Sequence, residues 1–255
     1  MIYQDLHVHT HYSSDSSAVP AEMVEAALAK GLKRICFTDH MDIGLYDNGR
    51  NLFDPEARFK ELNEVRALYK DRIEIGIGVE LGLMADHPEL HDRIAETAEK
   101  YPWDFRIGST HAVFVGEPGA EKPYDPAYAP AWEWFQTTEE AFSCYYETIL
   151  KNVQQYDCYE TVGHLDYMVR YLPDGFEPYV MEDYHDLIDE ILRTIIAKGK
   201  ALEVNTSSLH YPIRRTNPEK KIIDRYFALG GARLTFGSDA HRPEHVGYGF
   251  ETLME

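Results

Sequence analysis

Seven short apolar runs alternate with amphipathic stretches along this chain, and no other feature limits its fold as strongly. The runs end at Asp5-Leu-His7-Val-His9 or cover Arg34 to Thr38, Ile73 to Val79, Phe105 to Ser109, Tyr159 to Gly163, Ala201 to Val204 and Arg233 to Phe236. Helical spacing fills the intervals. Pro20 to Lys30 carries Met23, Val24, Ala27 and Leu28 on one face and closes at Gly31. Asp54-Pro55 opens a second helix to Lys70, and Pro88 opens a third that Tyr101-Pro102 ends. Thr138, as N-cap, begins a helix to Tyr156; others run from Asp183 to Lys198 and from Asn217-Pro218 to Gly230. Strand then helix, repeated, is the pattern of parallel strands with helical crossovers, most economically closed as an α/β barrel in a single domain, residues 1–255. An open doubly wound sheet would need a Gly-rich phosphate loop after the first strand. Histidines stand there.

His7 and His9, two apart on a strand, point to one face. Alone, such a pair reads equally well as one core and one surface histidine. The ends of the other runs change that, because they carry His40, Glu80, His111, His164, Asn205, and Asp239 with His241. In a parallel barrel the carboxyl ends of the strands form one face, so these residues converge on one pocket. Imidazole with carboxylate is the ligand set of hydrolytic metal centres, and the number of donors exceeds what one ion needs. Two or three divalent transition metals (Zn, Mn or Fe) follow, with Glu80 as the carboxylate bridging two of them. Such a centre lowers the pKa of bound water to about 7 and can clamp a phosphoryl group's oxygens.

Composition excludes other classes. Twenty-five basic against 44 acidic residues give a formal charge of -19, which disfavours nucleic acid or an anionic membrane as partner. No window has the apolar length of a membrane span. Three scattered cysteines, Cys36, Cys144 and Cys158, suggest neither a disulfide framework nor a thiolate metal site, and a reducing cytoplasm is the expected location.

The runs His7-x-His9 with Ser13 and Asp15, Thr38-Asp-His40, Gly78-Val-Glu80, Ser109-Thr-His111, Gly163-His164-Leu-Asp166 and Ser238-Asp239-Ala-His241 resemble, in order, the motifs of the polymerase and histidinol phosphatase (PHP) superfamily. Asp166-Tyr-Met-Val-Arg170 and Ala201-Leu-Glu-Val-Asn205-Thr-Ser are similar to its monofunctional histidinol-phosphate phosphatases. The resemblance implies a distorted seven-stranded TIM-like barrel and a trinuclear site. By motif position one metal takes His7, His9, Asp239 and Glu80; a second takes Glu80, His111 and His164; a third takes Asp15, His40 and His241. His11 is an alternative ligand. The implied reaction is hydrolysis of a small phosphorylated substrate, L-histidinol phosphate, to histidinol and phosphate in histidine biosynthesis.

Arg170 and Arg214, beyond strand ends, are candidates to bind phosphate through a bidentate fork. Asp39 and Asp166, close to ligand histidines, are candidates to fix imidazole tautomers, and Asp166 also to protonate the departing alkoxide. Residues 112–137, with prolines at 118, 123, 126 and 130 and with Trp132 and Trp134, read as a long loop: a lid or a surface excursion. His87 and His91 read as solvated, and His185, His210 and His245 have no partner visible in sequence. A phosphatase of the same superfamily acting on phosphotyrosine or a nucleotide is the nearest rival. An amidohydrolase is less consistent, since no lysine stands at a strand end. A non-catalytic module would be signalled by lost ligands, and the set reads as complete.

Overall fold

The computed structural model describes residues 2–45, 54–117 and 121–254. Positions 46–53, and Pro118 of the segment 112–137, therefore lie outside the described residues. The elements run β1 (Gln4–Val8), α1 (Pro20–Ala29), β2 (Arg34–Phe37), β3 (His40–Met41), α2 (Pro55–Tyr69), β4 (Glu74–Ile77), β5 (Val79–Gly82), α3 (Pro88–Lys100) and β6 (Arg106–Ser109). After them come β7 (Val113–Val115), β8 (Lys122–Tyr124), α4 (Ala129–Trp132), α5 (Thr138–Gln155), β9 (Thr161–Val162), α6 (His185–Ala197), β10 (Ala201–Asn205), α7 (Lys220–Ala228) and β11 (Leu234–Gly237). Among the described residues no helix is long and apolar enough to cross a membrane.

Two parallel sheets, β1-β2-β4 and β11-β10-β9-β6-β5-β3, make up one distorted barrel wall. The second and third expected strands each break in two, at Thr38-Asp39 and at Gly78, and change partners there. Main-chain bonds bridge both breaks: Gly78 donates to the Phe37 carbonyl at 2.8 Å and Val79 to Phe105 at 3.0 Å. A side chain at Gly78 would collide with the Phe105 carbonyl oxygen, so the crossing needs glycine. The circle closes where Asp239 donates to the His7 carbonyl at 2.8 Å and His9 to Ala240 at 2.9 Å. Counting each broken pair once gives seven staves among the described residues, as expected.

Helix ends follow local chemistry. Pro20, Pro55 and Pro88 occupy first turns, where a missing N–H costs nothing, and Gly31 takes φ +76° just past α1. The cap of α5 is Thr137, not Thr138: its hydroxyl accepts from the Glu140 amide at 3.1 Å, whereas Thr138 donates to the Glu177 carbonyl. Thr137→Ala is expected to lower stability by about 1 kcal/mol in urea unfolding, with little change in activity. The helix expected from Asn217 starts at Lys220, because Asn217 exchanges backbone bonds with Asn205 at 2.8 and 2.9 Å.

The segment 112–137 is not the expected structureless loop. Its first part forms the antiparallel hairpin β7–β8, with Val113 opposite Tyr124 and Val115 opposite Lys122, and α4 follows. Trp132 is buried and donates its indole N–H to the Pro126 carbonyl at 2.7 Å, while Trp134 is exposed. Between hairpin and helix, Asp125, Ala127 and Tyr128 reach the wall of a cleft.

Inside, Arg58 of α2 is fully buried; its Nε meets Asp39 at 2.6 Å and its Nη2 donates to the Phe37 carbonyl at 2.9 Å. This pair braces the Thr38-Asp39 break. Asn152 of α5, also buried, accepts from the Ala85 amide and donates to Leu83 and Thr110, tying the helix to the turns after β5 and β6. Both turns adjoin the metal-type residues described next.

Candidate metal centre

Alternation along β1 turns His7 and His9 to the barrel interior, both fully buried. Glu80 points inward from β5 and stands between two sets of imidazoles. Its Oε2 lies 3.1 Å from His7 Nε2, 3.5 Å from His9 Nε2 and 2.9 Å from His40 Nδ1. Its Oε1 lies 3.0 Å from His111 Nε2 and 2.9 Å from His164 Nε2, and those two nitrogens are 3.4 Å apart. Asp239, at φ 53°, aims its Oδ1 at His9 Nε2 (3.2 Å) and His7 Nε2 (3.6 Å). Aspartate is among the few residues that tolerate this backbone region. Asp15 Oδ2 is 3.1 Å from His241 Nε2 and 3.6 Å from His40 Nε2.

Donors about 2.0–2.1 Å from one tetrahedral ion stand about 3.4 Å apart, so these separations fit ligands around shared cations. The unmet valences agree. His7 Nε2, His9 Nε2, His241 Nε2 and Glu80 Oε2 are buried with no hydrogen-bond partner among the described residues. Buried polar atoms are rarely left so, and four converging on one space mark a cation site. Among the described residues four overlapping ligand groups can be drawn: His7-His9-Glu80, His7-His164-Asp239, His40-Glu80-His111 and His9-His40-His241.

Electrostatics point the same way. Burial opposes charge on Glu80, yet the His7, His111 and His40 rings hold its carboxyl well below the usual range. Burial and the neighbouring His241 and His40 push His9 down to about 3, leaving the neutral imidazole that ligates metals. His111 goes the other way, to about 10: burial resists, but Glu80 and Asp42 attract its proton. Divalent cations would supply the positive charge that such imidazolium protons otherwise provide.

A second layer holds the rings. Glu203 Oε1 is 2.7 Å from His7 Nδ1, and its Oε2 accepts the His164 amide at 2.8 Å. Asp42 Oδ1 is 2.9 Å from His111 Nδ1, and Ser13 Oγ is 2.8 Å from His9 Nδ1. Asp39 acts through this serine, accepting its hydroxyl at 3.1 Å. Asp5 accepts the Ser238 and Gly247 amides, fixing the approach to Asp239. Glu203 and Asp42 had not been singled out from sequence; a glutamate inside the apolar run Ala201-Leu-Glu-Val was the available signal. Glu203→Gln is expected to weaken metal binding about 10- to 100-fold in a chelator-competition titration.

The cleft above the centre is lined by Asp15, His40, His111, His164, Asp239 and His241 on its floor, with Arg170 and a ring of tyrosines beside them. Arg170 is nearly buried, packs 5.0 Å from the Tyr167 ring and 5.3 Å from Tyr211, and its Nε has no partner among the described residues. Two expectations need correction. Arg214 is exposed and not on the cleft wall, because the turn after Tyr211 carries it outward at φ 45°. Asp166 is fully buried away from the cleft, accepting from Asn217 and the Glu219 amide beside Arg215, a placement that ties two loops and does not offer a proton to a leaving group. His11 pairs with Glu61 at 3.2 Å, outside the ligand groups. His87 and His91 are not freely solvated, each burying one ring nitrogen, and His185 lies exposed beside Asp186. His210 and His245 stack at 4.3 Å on the cleft rim.

Comparisons with known proteins agree with this geometry. A PHP domain family model matches residues 5–207. The histidinol-phosphatase of Lactococcus lactis subsp. lactis (strain IL1403) is 34% identical over 239 residues, 93% of this chain and 83% of that protein. That of Bacillus subtilis (strain 168) is 27% identical, covering 99% of this chain and 98% of its own length. The crystal structure of the Lactococcus histidinol phosphate phosphatase, complexed with zinc, L-histidinol and phosphate, superposes with a TM-score of 0.80 at 32% identity, over 94% of this chain and 87% of that one. A Listeria monocytogenes structure at 20% identity shares the fold with a TM-score of 0.82, over 98% and 99% of the two chains.

Proposed function

We propose that this chain, which belongs to the PHP domain family, hydrolyses L-histidinol phosphate to L-histidinol and inorganic phosphate at a centre of divalent metals. The observation that carries the reading is the convergence of buried lone-pair donors that make no hydrogen bond among the described residues, His7 Nε2, His9 Nε2, His241 Nε2 and Glu80 Oε2, under a cleft walled by Arg170. In this reading residues 1–255 act as one cytoplasmic domain with three metals. His7, His9, Asp239 and Glu80 hold the first, Glu80, His111 and His164 the second, and Asp15, His40 and His241 the third. Bound there, divalent cations supply Lewis acidity to the phosphoryl oxygens and a nucleophilic water at neutral pH.

The chain's own groups do the positioning. Arg170, already nearly desolvated, offers its unpaired Nε to a phosphate oxygen, and the surrounding tyrosines keep its guanidinium in place. Glu203 and Asp42 hold the His7 and His111 rings in the orientation that turns Nε2 inward. Arg170→Ala is expected to lower kcat/KM for the phosphoester about 100-fold, read by steady-state kinetics.

The decisive assay is phosphate release from L-histidinol phosphate after loading with zinc, manganese or iron, beside phosphotyrosine and a nucleotide. We expect kcat/KM for histidinol phosphate to exceed the others by at least about 100-fold. Faster turnover of either rival would replace the substrate while leaving the chemistry.

A further inference from the structure

Two histidines of the cleft take no part in the centre. His210 and His245 line its rim and belong to none of the ligand groups, and among the described residues neither ring makes a hydrogen bond or an ion pair. Their neighbours are other rings. The two imidazoles stack at 4.3 Å and 23°, Tyr248 meets His210 in a T at 5.6 Å, and Tyr211 lies 5.0 Å from it. Both histidines stand on anchored backbone. His210 ends the short helical turn Ser207–His210, in which the Ser207 hydroxyl bonds Asn205 Oδ1 at 2.7 Å and reaches Asp239 Oδ2 at 3.2 Å, while Ser208 bonds Asn217. On the other side the Arg242 carbonyl accepts the His245 amide at 3.0 Å, and Gly247 donates to Asp5 at 2.8 Å. The Tyr211 ring packs 5.3 Å from the Arg170 guanidinium, so this platform of rings begins beside the arginine assigned to the phosphate.

We infer that His210 selects the substrate's side chain by accepting a hydrogen bond from the imidazole N–H, with His245 stacked against it to hold its ring in place. The assignment rests on the reading of the preceding subsection and names the residue that reads the far end of that substrate. In L-histidinol phosphate one oxygen and three carbons separate phosphorus from the ring, a tether that carries the imidazole out of the metal centre towards the rim while the phosphate stays against Arg170. Burial, His245 and Arg170 push the His210 pKa below its ordinary value, so at neutral pH its ring is uncharged and keeps one bare nitrogen. An imidazole carries at least one N–H whether or not it is protonated, so either form of the substrate has a donor for that nitrogen. A phenyl ring has none. It would displace water from His210 without replacing the lost bond, and sites built on hydrogen bonds reject such analogues for this reason. Because His210 is partly exposed, solvent recovers some of the loss, and the discrimination is smaller than in a closed pocket.

The test compares kcat/KM of the metal-loaded enzyme for L-histidinol phosphate and for L-phenylalaninol phosphate, in wild type and in His210→Phe. The analogue keeps the phosphate, amine, tether and an aromatic ring. The variant keeps a ring to stack on His245 and removes both nitrogens. We expect wild type to favour histidinol phosphate by about 10- to 100-fold and the variant to bring that ratio within about threefold of unity. A packing role for His210 would scale both substrates together and leave the ratio at its wild-type value, which overturns the assignment. So does a wild-type ratio near unity, a result that needs no variant to fold. If wild type turns over neither compound but does hydrolyse another phosphomonoester, the histidinol phosphate reading itself fails and the assignment falls with it.

Discussion

Glu80→Gln is expected to lower kcat by about 1000-fold or more and to strip the protein of most of its metal during dialysis. The size follows from the carboxylate's position. Its two oxygens serve different imidazole sets, His7, His9 and His40 on one side and His111 and His164 on the other. An amide keeps the shape but offers one oxygen, and its NH2 group would put hydrogens against nitrogens that must donate lone pairs. Losing one shared anion weakens two ion sites at once. A loss of several kcal/mol of transition-state charge stabilisation corresponds to about 1000-fold, at 1.36 kcal/mol per tenfold. Elemental analysis of dialysed protein and turnover in excess metal check the two parts separately. Retention of full metal with activity within about tenfold of wild type would remove Glu80 from the centre.

Arg58→Met is expected to destabilise the fold by about 3–5 kcal/mol, measured by urea unfolding of metal-free protein. Asp39 and Arg58 are both fully buried, and Asp39 also accepts the Thr10 amide and hydroxyl and the Ser13 hydroxyl. Burial alone would drive Asp39 towards its neutral form; the guanidinium outweighs it and holds the carboxyl below the ordinary value. Without the arginine, a buried carboxylate keeps only neutral donors. A drop below about 1 kcal/mol would mean that the interior relaxes around the lone carboxylate, against this account. Because Ser13 links Asp39 to the His9 ring, reduced metal affinity should accompany the loss of stability.

The barrel was legible because it writes itself in two periods, apolar strands and amphipathic helices, and because its ligand histidines stand where strands end. His40, His111, His164 and His241 sit just beyond or at the last turn of a stave, as the sequence implied. The breaks at Thr38-Asp39 and Gly78 were not legible. A change of strand partner leaves no mark on hydrophobic periodicity, and Gly78 alone does not distinguish a crossing from a bulge. Carboxylates were harder than histidines. Glu203 lies inside a strand and Asp42 two residues past His40, whereas Asp166, next to the conspicuous His164-Leu pair, turns away. Arg214 and Arg215 are neighbours, but one faces solvent and the other Asp166, a difference fixed by a turn that no pattern in the sequence reports.

The closing contact between β1 and β11 has a consequence for how the protein comes into being on the ribosome. His7 and His9 precede Asp239 and His241 by more than 200 residues, so the first ligand set stays incomplete until both sides of that seam have been made. Contacts of such long sequence separation form late. Tight capture of metal should then report that the ring has shut, and a truncated or stalled chain should scavenge ions only weakly.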